Sequence, residues 1–246
     1  MINTKKNDRV IFIIPYAGGS FYSMRGLEEK LKNIDCITLE LPGRGERIDE
    51  PLSNKLNFVV NDLFEKVIKV IERYDEYYFF GHSFGSLLSY LLVQKIMTSD
   101  WDMPKHLFVS GTGGPSKEKK HENIHLLSKN DFRREVKDMG GTTSEVTKSE
   151  ELMSFFEPII RSDFELVSQY NYISDRKINI PITAFFGSID KIELADKKLW
   201  QKETNLELDI IEFEGDHFYI FNHWDNLAKT IMDKIDLGLF EKRDSK

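Results

Sequence analysis

A serine hydroxyl becomes a useful nucleophile only when a base takes its proton and preorganised donors wait for the oxyanion. The stretch Gly81-His82-Ser83-Phe84-Gly85 has the G-x-S-x-G spacing that presents such a serine. Five residues alone recur by chance, so the flanks carry the weight. An apolar run, Tyr77-Tyr78-Phe79-Phe80, leads directly in, and a stretch over 84–97 that is apolar nearly all round leads directly out. A strand turning at once into a helix leaves the Ser83 Oγ exposed at the carboxyl edge of a sheet. It also aims the first helix amides at the reacting centre.

The base should be a histidine held by a carboxylate, in the chain order serine, acid, histidine. Six histidines are available. His82 precedes the serine and its side chain points away from it. His106 lies in an apolar, strand-like run, His121 and His125 lie in a region without strands, and His223 opens the last helical pattern. His217, in Gly215-Asp216-His217-Phe218, directly follows the last strand-like run and emerges at the same edge as Ser83. For the acid, Gly187-Ser188-Ile189-Asp190 follows the run Ile182–Phe186, whereas the run ending at Ser110 is followed by Thr112-Gly113-Gly114, without a carboxylate. Asp190 is therefore the expected acid. Asp216 adjoins the histidine and would point elsewhere.

Two amide donors must face the oxyanion. One is the backbone N–H of Phe84. The second is expected from the loop after the first strand, Pro15-Tyr16-Ala17-Gly18-Gly19-Ser20, with Ala17 the candidate.

The elements that must position these groups are readable. Strand-like runs occur at Val10–Ile14, Cys36–Leu41, Tyr77–Phe80, His106–Ser110, Ile182–Phe186 and Leu208–Phe213. Several are nearly continuous in apolar residues, as strands covered on both faces are. Helical patterns fill 56–73, 84–97 and 223–237. The alternation predicts an α/β fold, a mostly parallel central sheet with helices on both faces. From about 115 to 176 the alternation breaks. Amphipathic pieces around Ile124–Met139 and Leu152–Tyr172, joined by Gly140-Gly141-Thr142-Thr143, suggest a helical lid inserted into one domain spanning 1–246.

The bulk numbers fit a soluble enzyme. The 246 residues carry a net charge of −7, which argues against nucleic acid as partner. Cys36 is alone, so no internal disulfide is possible. No apolar run is long enough for a signal core or a membrane span. A cytoplasmic monomer is expected, with no membrane association.

Five stretches together resemble a known family: Ile14-Pro15-Tyr16-Ala17-Gly18-Gly19-Ser20, Leu41-Pro42-Gly43-Arg44-Gly45, Gly81-His82-Ser83-Phe84-Gly85, Arg161-Ser162-Asp163-Phe164 and Gly215-Asp216-His217-Phe218. They are similar to the type II, stand-alone thioesterases that accompany non-ribosomal peptide and polyketide synthases. The likeness runs in order from about residue 9 to 235. It implies the α/β-hydrolase fold with a helical lid. It also implies hydrolysis of aberrant or stalled acyl and aminoacyl thioesters from the phosphopantetheine arm of acyl or peptidyl carrier proteins. Ser83, Asp190 and His217 match the family triad, and Ala17 with Phe84 its oxyanion positions; the Ala17 assignment rests partly on this likeness. No cofactor and no metal are expected, because the pantetheine arm belongs to the substrate.

Other readings stay open at this level. A fatty-acyl carrier-protein thioesterase or a general serine esterase would use the same triad, and a non-catalytic binding module could share the scaffold. His121-Glu122-Asn123-Ile124-His125 satisfies H-E-x-x-H, a zinc-peptidase spacing, but Lys117-Glu118-Lys119-Lys120 before it does not read as a stable helix. Lys117, Lys119 and Lys120 could attract an acidic carrier or be only a solvated loop. Met24, Phe132, Met139, Phe155 and Phe156 could line an acyl pocket, with core packing the stronger expectation for each.

Overall fold

A computed structural model describes residues 7–118, 123–138, 143–173 and 176–243. The first strand, β1 (Arg9–Ile14), leads through a tight loop into α1 (Phe21–Lys30). β2 (Asp35–Thr38), α2 (Leu56–Ile71), β3 (Glu76–His82), α3 (Phe84–Met97) and β4 (Leu107–Ser110) follow. Between β4 and the next strand lie α4 (Lys129–Asp138), α5 (Ser144–Lys148) and α6 (Glu150–Gln169). β5 (Ile182–Gly187), α7 (Leu194–Lys198), β6 (Asp209–Phe213) and α8 (Trp224–Arg243) complete the order.

The six strands form one sheet, ordered β2-β1-β3-β4-β5-β6, and every neighbouring pair is parallel. Alternate strand residues feed two cores, as a period of two requires. Val10, Phe12, Ile14, Tyr77 and Phe79 pack under α2 and α3 on one face. Ile11, Ile13, Tyr78, Phe80, Phe108 and Phe185 pack under α1 and α8 on the other. Coverage on both faces explains why β1 and β3 read as almost unbroken apolar runs. A third, smaller core of Ile124, Phe132, Val136, Met153 and Ile160 belongs to the segment between β4 and β5.

The boundaries differ from the sequence expectation in informative ways. β2 ends at Thr38 rather than Leu41. The Leu39 N–H still donates to the Ile13 carbonyl at 2.8 Å, after which the chain leaves toward Pro42, which has no N–H to continue the ladder. β3 runs on through Gly81 and His82, so the strand reaches the residue next to Ser83. The final helix continues past residue 237 to Arg243. His106 sits just before β4, stacked on Phe108 and paired through Nε2 with Thr183 Oγ1 at 2.8 Å. Burial pulls its imidazole down to about 3, so it is a neutral core histidine.

Candidate active site

The turn between β3 and α3 carries Ser83, whose backbone lies at φ 54°, ψ −116°. A side chain rarely adopts this left-handed region, and holding it there costs about 1–3 kcal/mol. The surroundings enforce it. The Ser83 N–H donates to the Ser110 carbonyl at 2.7 Å. The Ser86 hydroxyl lies 2.7 Å from the Gly81 carbonyl and 3.0 Å from that of Ser110. Gly85 has no room for a side chain, because a Cβ there would stand 2.0 Å from the Ile14 carbonyl oxygen. The spacing G-x-S-x-G thus reflects α3 pressed against the end of β1.

The loops after β5 and β6 are zipped together beyond the sheet. The Ser188 N–H donates to Phe213 O at 2.8 Å and the Ile189 N–H to Gly215 O at 3.0 Å. This pairing brings Asp190 and His217 together. His217 Nδ1 donates to Asp190 Oδ2 at 3.1 Å, with the acid side chain only 4% exposed and the imidazole 13%. The ring of His82, adjoining Ser83, stands 5.1 Å from the His217 ring, so both loops converge on the serine turn. Asp216 turns away and accepts from the Phe218 N–H at 2.9 Å. His223 pairs with the Glu214 carbonyl at 2.8 Å and takes no part in this cluster.

Phe84 is the first residue of α3, where an N–H has no intrahelical acceptor and is free to serve a ligand. Ala17 lies in a tight turn closed by the Gly19 N–H donating to the Tyr16 carbonyl at 2.8 Å. Gly18, at φ 79°, occupies the turn position that favours glycine.

Arg44 and Asp163 lie in two of the five stretches that carry the family resemblance. They form a buried, two-pronged ion pair at 2.5 and 2.7 Å, with Arg44 5% and Asp163 0% exposed. Asp163 Oδ2 also accepts the Gly18 N–H at 2.7 Å. Asp163 belongs to α6, so this carboxylate ties the segment between β4 and β5 to the turn after β1. Removing one partner leaves a buried charge uncompensated. Asp163→Ala should therefore lower the unfolding free energy by about 3–5 kcal/mol, read from urea unfolding midpoints, with Asp163→Asn intermediate.

Other candidates are not gathered here. Met24 is buried beneath the sheet and Phe132 in the small core beside α4 and α6. Phe156 packs against that small core, Phe155 is exposed, and Met139 lies outside the described residues. Lys117 pairs with Asp196 at 2.7 Å, while Lys119, Lys120, His121 and Glu122 lie outside the described residues. His125 sits in a short 3-10 turn, Ile124–Leu126, whereas H-E-x-x-H needs an α-helix to align its histidines. Among the described residues no group of three or more metal-ligating side chains occurs. No described helix is long and apolar enough to cross a membrane.

A family model described as the thioesterase domain matches residues 9–235. The chain belongs to the thioesterase family. It is therefore a hydrolase of thioesters. The thioesterase is similar to the gramicidin S biosynthesis protein GrsT of Aneurinibacillus migulanus, with 34% identity covering 94% of this chain and 91% of the relative. Among solved structures it resembles ClbQ from the colibactin non-ribosomal peptide/polyketide pathway, at TM-score 0.88 and 31% identity over 95% of this chain and 99% of that one. It also resembles the type II thioesterase BorB from the borrelidin biosynthetic cluster, at TM-score 0.84 and 26% identity over 93% of each chain. These neighbours share the α/β-hydrolase architecture built above.

Proposed function

We propose that this thioesterase is a stand-alone editing enzyme that removes aberrant or stalled acyl and aminoacyl groups from the phosphopantetheine arm of synthase carrier proteins. The observation that carries the mechanism is the His217–Asp190 pair at 3.1 Å, held at the sheet edge where the strained Ser83 emerges. His217 Nε2 takes the Ser83 proton as Oγ attacks the thioester carbonyl. Asp190, accepting from Nδ1, fixes the tautomer and stabilises the imidazolium. The N–H groups of Ala17 and Phe84 receive the oxyanion. Collapse expels the pantetheine thiolate, which takes the proton from His217, and Ser83 carries the acyl group. A water activated by His217 then releases the acid. A thioester suits this machinery because its carbonyl is more electrophilic than an amide's and a thiolate leaves readily.

In this reading α4, α5 and α6 form a lid of one domain, and the long, thin pantetheine arm reaches Ser83 beneath it while the carrier domain docks outside. No cofactor is required, and the enzyme acts as a monomer in the cytoplasm. The similarity to GrsT and ClbQ, both named for biosynthetic pathways, supports the assignment to a synthase. The test is repair. A synthase module whose carrier has been misloaded with an acetyl-pantetheine arm should regain product formation when the thioesterase is added. Failure to restore it, with hydrolysis of simple thioesters intact, would overturn the editing role.

A further inference from the structure

Beneath the proposed triad runs a buried polar chain that the mechanism does not use. His82 Nδ1 lies 2.7 Å from Ser110 Oγ, and Ser110 Oγ lies 2.6 Å from the Tyr219 hydroxyl. All three residues are wholly buried. They come from three separate elements, the ends of β3 and β4 and the turn after β6. Each adjoins a site residue. His82 precedes Ser83, the Ser110 carbonyl accepts the Ser83 N–H, and Tyr219 follows His217 by two positions.

One polarity fits the two hydrogen bonds. Burial above all, with the charge of Asp190 adding to it, pushes the Tyr219 phenol up, so it keeps its proton. Tyr219 then donates to Ser110, and Ser110 donates to His82 Nδ1. Burial, and next the nearby His217, pull the His82 imidazole well below its usual range, so that ring is neutral. Its proton is left on Nε2, which is buried and has no hydrogen-bond partner among the described residues. Gly111 separates the two rings with no space to spare. A Cβ there would stand 2.7 Å from His82 Cε1 and 3.2 Å from His217 Cε1.

Burying three polar groups gives little net stability, since apolar side chains of the same shape would often serve as well. What the chain supplies is a fixed distance between the ends of β3 and β4 and the turn after β6. We propose that His82, Ser110 and Tyr219 are positioning residues, whose hydrogen-bond chain locks the loop carrying His217 against the turn carrying Ser83. The proposal rests on Ser83, Asp190 and His217 being the triad.

Tyr219→Phe deletes a single oxygen and Ser110→Ala deletes the link in the middle. On an acyl carrier protein each should lower kcat roughly ten- to hundredfold, as a small misplacement of reacting groups does, with KM within about twofold. The double variant should be no worse than Ser110→Ala alone, because the chain is already cut. Labelling of Ser83 by a fluorophosphonate probe should slow by the same factor as kcat. Folded Tyr219→Phe protein with wild-type kcat, even with a lowered Tm, would show a purely structural chain and overturn the proposal. If Ser110→Ala fails to fold, Tyr219→Phe alone decides. Failure of the triad itself is distinguishable, since Ser83→Ala and His217→Ala would then retain turnover.

Discussion

Ser83→Ala should abolish turnover on an acylated carrier protein, lowering kcat by a factor on the order of 10⁴ or more, while the fold stays intact. The loss is chemical, since the proposed acyl-enzyme forms on the Ser83 Oγ. The fold survives because the Ser83 side chain caps no helix amide, and alanine keeps the same Cβ in the same backbone well. Ser83→Gly separates the two effects. It should be equally inactive yet more stable than Ser83→Ala by roughly 1–2 kcal/mol, because glycine occupies φ 54° without strain. Thermal unfolding of the two variants measures that difference. Equal Tm values would mean that the turn stores no strain.

His217→Ala should lose nearly as much as Ser83→Ala. The remaining hydroxyl keeps its high intrinsic pKa, and Asp190 has no ring to orient. Groups that act as one unit are strongly non-additive. The Ser83→Ala, His217→Ala double variant should therefore be no slower than Ser83→Ala. Residual hydrolysis in either single variant near the wild-type rate would move the site elsewhere. A double variant slower by the product of both losses would mean that the two residues work independently.

The proposed triad was legible as a set of positions because the sheet edge orders them. An apolar strand into a helix marks Ser83, and the first histidine and the first well-placed acid after the later strands mark His217 and Asp190. The sheet was legible for the same reason, since strands buried on both faces must read as apolar runs. α1 was not. Only Met24 and Leu27 of its ten residues are buried, and Gly26 interrupts it. That glycine is explained by packing, since a Cβ there would stand 2.2 Å from the Trp224 indole nitrogen. The Arg44–Asp163 pair spans 119 residues, and no local periodicity announces a polar contact across that distance. The segment between β4 and β5 was legible as helical, with the piece Leu152–Tyr172 falling largely in α6. That helix runs unbroken from Glu150 to Gln169 through Pro158. The partners of His82, Ser110 and Tyr219, became visible only once the ends of β3 and β4 and the turn after β6 were brought together.

The central claim is that Ser83 serves carrier-bound thioesters. Its most direct measurement presents one acyl group in three ways, on a carrier protein, on free coenzyme A and as a simple oxygen ester, and follows release by mass spectrometry. The account predicts the largest kcat/KM on the carrier protein, for short acyl and aminoacyl groups alike, and no release by Ser83→Ala. Equal rates on the carrier protein and the oxygen ester would contradict it.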